Sequence, residues 1–110
     1  MDTNKESLLS VDFQDGFVND SIIIRINENE VFRKNNVSTD LRISMADNSF
    51  NTTISNGQIK IDILVPSRNL KFSQNIEINS DTYLGVSIIN SNTTNPEIEV
   101  KVEKQPFTYR

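Results

Sequence analysis

Histidine, cysteine and tryptophan are absent from the 110-residue chain, glycine and proline number three each, and a single alanine, Ala46, is present. Each absence removes a class of chemistry. Without cysteine there is neither a disulfide framework nor a thiolate zinc site. Without histidine the commonest general base and the commonest transition-metal ligand are missing, so Ser-His-Asp and Cys-His nucleophile systems are excluded. Chemistry is left to carboxylates, lysines, hydroxyls and the backbone. No apolar run approaches the roughly 18 residues of a membrane-spanning helix; the longest are Ile22-Ile23-Ile24 and Ile63-Leu64-Val65. The start, Met1-Asp2-Thr3-Asn4-Lys5-Glu6, has no basic head followed by an apolar stretch. The expectation is a soluble cytoplasmic protein.

Charge is modestly acidic, with 11 basic against 15 acidic residues and a net of −4. The basic residues stand singly, as at Arg25, Arg42, Lys60, Lys71 and Lys101, and the one pair is Arg33-Lys34. Counterion release from nucleic acid needs clustered Lys and Arg, so no nucleic-acid partner is expected, and no membrane partner either.

What the chain has in surplus is β-branched: fourteen Ile, eight Val and eight Thr against six Leu. Such side chains lose rotamer freedom in helices and pack well on a pleated surface. Fifteen Asn supply turns where glycine is scarce, because Asn tolerates left-handed backbone. The periodicity agrees. Ile22, Ile24 and Ile26 alternate with Arg25 and Asn27; Ile59, Ile61, Ile63 and Val65 with Lys60 and Asp62; and Leu84, Val86 and Ile88 with Gly85 and Ser87. The same two-residue period runs through Val11 and Phe13, Leu41-Ile43-Met45, Phe50-Thr52-Ile54, Phe72 with Ile76-Ile78, and Ile98-Val100-Val102. Ser55-Asn56-Gly57-Gln58 carries the Asn-Gly pair of a type I′ hairpin and is read as one. Asn27-Glu28-Asn29-Glu30 is read as a second hairpin turn, Pro66-Ser67-Arg68-Asn69 as a strand terminator, and Asn90–Pro96 as a polar loop.

The fold expected is all-β: a single antiparallel β-sandwich, immunoglobulin-like or related, of about eight or nine short strands. Residues 1–6 are expected to be a disordered N-terminal segment and residues 7–110 one domain, burying roughly 65% of the unfolded surface. Ile23, Leu64 and Ile89 fall on the nominally polar side, marking either strands covered on both faces or a surface patch.

Four features carry a candidate site. Asp12, Asp15, Asn19 and Asp20 gather around Gly16, and a calcium ion takes carboxylate and carbonyl oxygens from such loops, although the spacing is not that of an EF-hand. The competing reading is two acidic turns before the next strand. Glu97, Glu99 and Glu103 share a strand face with Lys101; a solvated outer face fits them better than a glycosidase pair, whose carboxylates oppose each other across a cleft. Four Asn-X-Ser/Thr sequons follow from an Asn- and Thr-rich composition and receive no function. Tyr83 and Tyr109 are the aromatic candidates for a sugar-stacking platform, with core packing as the alternative.

Across most of its length the chain resembles a group of small, uncharacterised bacterial β-sandwich proteins. The resemblance is carried by Val11-Asp12-Phe13, Asp15–Ile23, the Ile26–Phe32 hairpin, Met45–Phe50, Ile63-Leu64-Val65-Pro66 and Gln105–Tyr109. These are turns and core positions, so the resemblance implies a fold and no activity, cofactor or partner. The resulting expectation is a non-catalytic binding or structural accessory module without a cofactor, calcium aside. Its partner would be a protein or a carbohydrate, and the chain a monomer or weak homodimer. The alternatives are a calcium-dependent carbohydrate-binding module and a glycoside-acting enzyme using carboxylates alone.

Overall fold

The structure is a computed structural model and describes residues 5–40, 45–46 and 49–107. Among the described residues ten strands follow in order: β1 (Glu6–Phe13), β2 (Asp20–Ile26), β3 (Asn29–Val37), β4 (Thr39–Asp40), β5 (Met45–Ala46), β6 (Ser49–Ser55), β7 (Gly57–Val65), β8 (Leu70–Ile78), β9 (Thr82–Ile89) and β10 (Glu97–Glu103). A 3-10 turn, Pro66–Arg68, joins β7 to β8. Eight strands form two four-stranded sheets, ordered β10-β9-β1-β6 and β3-β2-β7-β8, while β4 and β5 make a separate short ladder. The sandwich expected from the alternation is present.

Its core is the alternating set. Leu9, Val11 and Phe13 of β1, Ile22 and Ile24 of β2, Ile61, Ile63 and Val65 of β7, and Leu84 and Val86 of β9 are fully buried. These come from the two central strands of each sheet, which have a neighbour on both sides and a facing sheet on one. A row of phenylalanines extends the core to one side of the sandwich: Phe17 meets Phe13 edge-on at 5.9 Å, Phe13 stacks on Phe32 at 5.5 Å, and Phe32 reaches Phe50 at 5.3 Å. Phe32 lies on the edge strand β3 and Phe50 on the edge strand β6. The two edges therefore share a side, and this row bridges them.

Two expectations change. First, pairing is not wholly antiparallel, because β1 and β9 run parallel, with Leu9 opposite Thr82 and Phe13 opposite Val86. Second, Asn56-Gly57 is not a hairpin turn. Strand β6 pairs with β1 in one sheet and β7 with β2 and β8 in the other, so the chain turns a corner between sheets there. Gly57 has φ +131°, and Asn56 is held to the start of β1: its amide donates to the Lys5 carbonyl at 2.8 Å, and Ser7 Oγ donates to its Oδ1 at 2.6 Å. Long-range pairing has overridden local turn chemistry. The strand read through Leu41-Ile43-Met45 lies mostly outside the described residues; its described end, Met45–Ala46, pairs with Thr39–Asp40. The expected unstructured start likewise falls largely on residues 1–4, outside the described set, and β1 begins at Glu6.

The left-handed two-residue turn occurs instead at Asn27-Glu28, whose φ values of 50° and 70° are both positive, between the paired residues Ile26 and Asn29. Asn27 exchanges hydrogen bonds with Lys60 of β7: its amide donates to the Lys60 carbonyl at 2.8 Å, and its Oδ1 accepts from the Lys60 amide at 3.0 Å. Glu28 contributes only an exposed contact with Lys60 at 3.7 Å, worth little in water. Glu28→Gly should therefore stabilise the protein by about 0.5 kcal/mol, since glycine enters this conformation without the Cβ penalty. A lower urea midpoint for the variant would count against this account of the turn.

Candidate functional site

The segment Asp12–Asp20 connects β1 to β2 at one end of the sandwich. Asp12 is half-buried on β1, Asp15 and Asn19 are exposed, and Asp20 is buried as the first residue of β2. Among the described residues there is no group of three or more His, Cys, Asp or Glu able to hold a metal ion.

Asp20 is committed elsewhere. Its Oδ1 accepts from Arg68 Nε at 2.9 Å and from Ser67 Oγ at 2.7 Å, and its Oδ2 accepts from the Val18 amide at 2.9 Å. The same guanidinium donates through Nη1 to the Ser91 carbonyl at 2.7 Å and through Nη2 to the Gly16 carbonyl at 3.2 Å. Ser91 Oγ also donates to the Gly16 carbonyl, at 2.6 Å. The cation at this end is thus Arg68, which ties the β1–β2, β7–β8 and β9–β10 connections together. Burial alone would raise the Asp20 carboxyl, but the hydrogen bonds from Arg68, Val18 and Ser67, together with the Arg68 charge, outweigh it and hold the group below its ordinary value.

The remaining sequence candidates are dispersed. Glu97, Glu99 and Glu103 are exposed on β10, an edge strand, as expected of a solvated outer face. Tyr83 is half-buried on β9, and Tyr109 lies outside the described residues. Ile23 and Leu64 stand directly opposite each other on the outer face of the second sheet, flanked in the same cross-strand row by Arg33 and Lys71. Ile23 is 8% exposed, which places it among the covered residues, whereas Ile89 is 37% exposed. In the next row Arg25 faces both Glu30 and Asp62, and the buried Asp62 accepts a hydrogen bond from Ser73 Oγ.

A concavity lies where the sequence offered no candidate. Beyond the Phe32–Phe50 contact the edges of β3 and β6 separate into a cleft of about 420 Å³, bounded by the Asn27-Glu28 turn and the Asn56-Gly57 corner. Its apolar lining is Ile26, Val31, Ile54 and Ile59, and its polar lining is Asn27, Asn29, Thr52, Thr53, Ser55, Asn56 and Gln58. Among the described residues no Asp, Glu, Lys or Arg lines it. The Oδ1 atoms of Asn27 and Asn56 are occupied by Lys60 and Ser7, which leaves their Nδ2 donors without a protein partner among the described residues. Sequence reading missed this site because its parts meet only through long-range contacts: residues 26–27 beside β7 within one sheet, and the edges of β3 and β6 on the shared side of the two sheets.

Comparison with protein-family models and with curated protein sequences finds no match. Among the described residues no helix is long and apolar enough to cross a membrane.

Proposed function

We propose that this protein is a non-catalytic binding module whose contact surface is the cleft between β3 and β6, and that its ligand is a neutral carbohydrate segment. The carrying observation is the lining itself, in which amides and hydroxyls ring an isoleucine and valine floor with no charged side chain among the described residues. Sugars present hydroxyls that pair with amide and hydroxyl groups, and C–H faces that pack on aliphatic side chains; charged ligands would find no counterion here. Among the described residues no aromatic side chain lines the cleft, so the affinity belongs at the weak end, with Kd on the order of 0.1–1 mM.

Two rival readings lose support from the same geometry. A glycosidase needs two carboxylates about 5–10 Å apart across the substrate, and the cleft offers none. A calcium-dependent binder built on the Asp12–Asp20 segment would need the oxygens that Asp20 gives to Arg68, Ser67 and Val18.

Titration of the isotope-labelled protein with a panel of neutral oligosaccharides tests the proposal. Amide shifts are expected in residues 26–31 and 52–59, unchanged by a calcium chelator and reduced by Asn29→Ala or Gln58→Ala, with the sugar recovered uncleaved. Shifts confined to the Asp12–Asp20 end, a requirement for calcium, or no shifts at millimolar ligand would overturn it.

A further inference from the structure

The two sheets end in four edge strands, and three carry charges: β3 has Glu30, Arg33 and Lys34, β8 has Lys71 and Glu77, and β10 has Glu97, Glu99, Lys101 and Glu103. Strand β6, Ser-Phe-Asn-Thr-Thr-Ile-Ser, has no charge, no proline and no glycine. Charges and prolines are what ordinarily keep an exposed edge from pairing with another chain. We infer that β6 is an interaction edge and that its occupant is β6 of a second copy of this chain, the two pairing antiparallel about a two-fold axis through Thr52.

The backbone has the right groups exposed. The Leu8 amide donates to Asp81 Oδ1 at 2.8 Å, on the β9 side of β1, and the Gln14 amide donates to the Val86 carbonyl of β9 at 2.7 Å. Even-numbered residues of β1 therefore face β9, and Ser7, Leu9 and Val11 turn their polar groups toward β6. Their partners there are Ile54, Thr52 and Phe50. By alternation Asn51, Thr53 and Ser55 present N–H and C=O to the open side. A two-fold through Thr52 sets Asn51 opposite Thr53 of the second copy and Ser49 opposite Ser55, so that outward-facing residues meet outward-facing residues and can exchange both hydrogen bonds.

The side chains fit the same register. Phe50 falls opposite Ile54 of the second copy, an aromatic and β-branched pair; Thr52 meets Thr52, and Asn51 meets Thr53. No pair opposes like charges. Phe50 of the second copy is brought beside Ile54 at the mouth of the cleft, supplying an aromatic side chain that the cleft lacks in one chain. The pairing does not depend on the cleft binding a sugar, and its test uses no ligand.

Sedimentation of the full chain over micromolar to millimolar concentration reads the association directly. The unmodified protein should form dimers and no larger species. Asn51 and Thr53 are both exposed, so substitutions there leave the core alone. N51K/T53K places Lys opposite Lys twice and should weaken association by roughly tenfold or more, whereas N51K/T53E places Lys opposite Glu twice and should retain it. A monomer throughout the range for the unmodified protein would overturn the inference, as would undiminished dimerisation of N51K/T53K or loss of dimer in N51K/T53E. Thermal melts of both variants at dilute concentration confirm that each is folded.

Discussion

Gly16→Ala is expected to destabilise the protein by about 3 kcal/mol or more, through two costs that act together. Gly16 has φ +90°, a conformation that L side chains rarely adopt. A Cβ there would lie 2.0 Å from the carbonyl oxygen of Ile88 and 2.9 Å from its carbonyl carbon, so the obstacle is backbone and not a movable side chain. The Ile88 backbone has little room to retreat, because its amide donates to the Asp15 carbonyl at 2.8 Å. Gly57 supplies the control: its φ is +131°, but a Cβ would meet nothing within 4 Å. Gly57→Ala should therefore cost only the backbone strain, about 1 kcal/mol. Urea unfolding of the two variants measures the difference, and equal losses would show that close packing against Ile88 is not what fixes Gly16.

The alternation that made β2 and β7 readable is a property of single strands, and it located their buried residues correctly: Ile22, Ile24, Ile61 and Ile63. What it carries no information about is partner choice. Asn56-Gly57 has the composition of a hairpin turn, yet whether the next strand folds back or crosses to the other sheet is decided by pairings such as Leu9 with Thr52 and Ile61 with Gln74, far from the turn. The parallel direction of β1 and β9 is equally silent in a local window. The site obeyed the same division. The gathering of Asp12, Asp15, Asn19 and Asp20 was visible, but the group that neutralises Asp20 is Arg68, 48 positions away, inside a segment readable only as a strand terminator. The one available signal was that Pro66–Asn69 holds a lone arginine and a serine beside a turn. For the cleft there was less: neutral Asn, Thr and Gln residues are what any turn of this chain contains, and only the folded edges bring two such stretches face to face.

Arg68→Met should be the other severe substitution, costing about 3 kcal/mol near neutral pH because it leaves the Asp20 carboxylate buried without its cation. The Asp20 side chain is 4% exposed and that of Arg68 is 16% exposed, so water replaces the lost guanidinium poorly. Arg68→Lys should rescue little. The guanidinium reaches Asp20, Ser91 and Gly16 through three separate nitrogens, a fork that an ammonium cannot reproduce. For a domain of this size the loss corresponds to a fall in Tm of roughly 10–20 °C. The pH dependence has a definite sign. The folded carboxyl of Asp20 is held below its ordinary value, so its stabilising contribution is present above the unfolded-state value and is lost as pH falls through the lowered folded-state value. The cost of Arg68→Met should accordingly be greatest at neutral pH and should shrink as acid protonates Asp20, which then needs no cation. In Asp20→Asn the acid-dependent part should be absent, and adding Arg68→Met to it should cost less than Arg68→Met alone, a coupling that a double-mutant cycle measures. A penalty that stays constant from neutral to strongly acidic pH would mean that Arg68 acts through its carbonyl contacts at Gly16 and Ser91 alone. The calcium-like gathering of acids would then have no electrostatic part in holding this end of the sandwich closed.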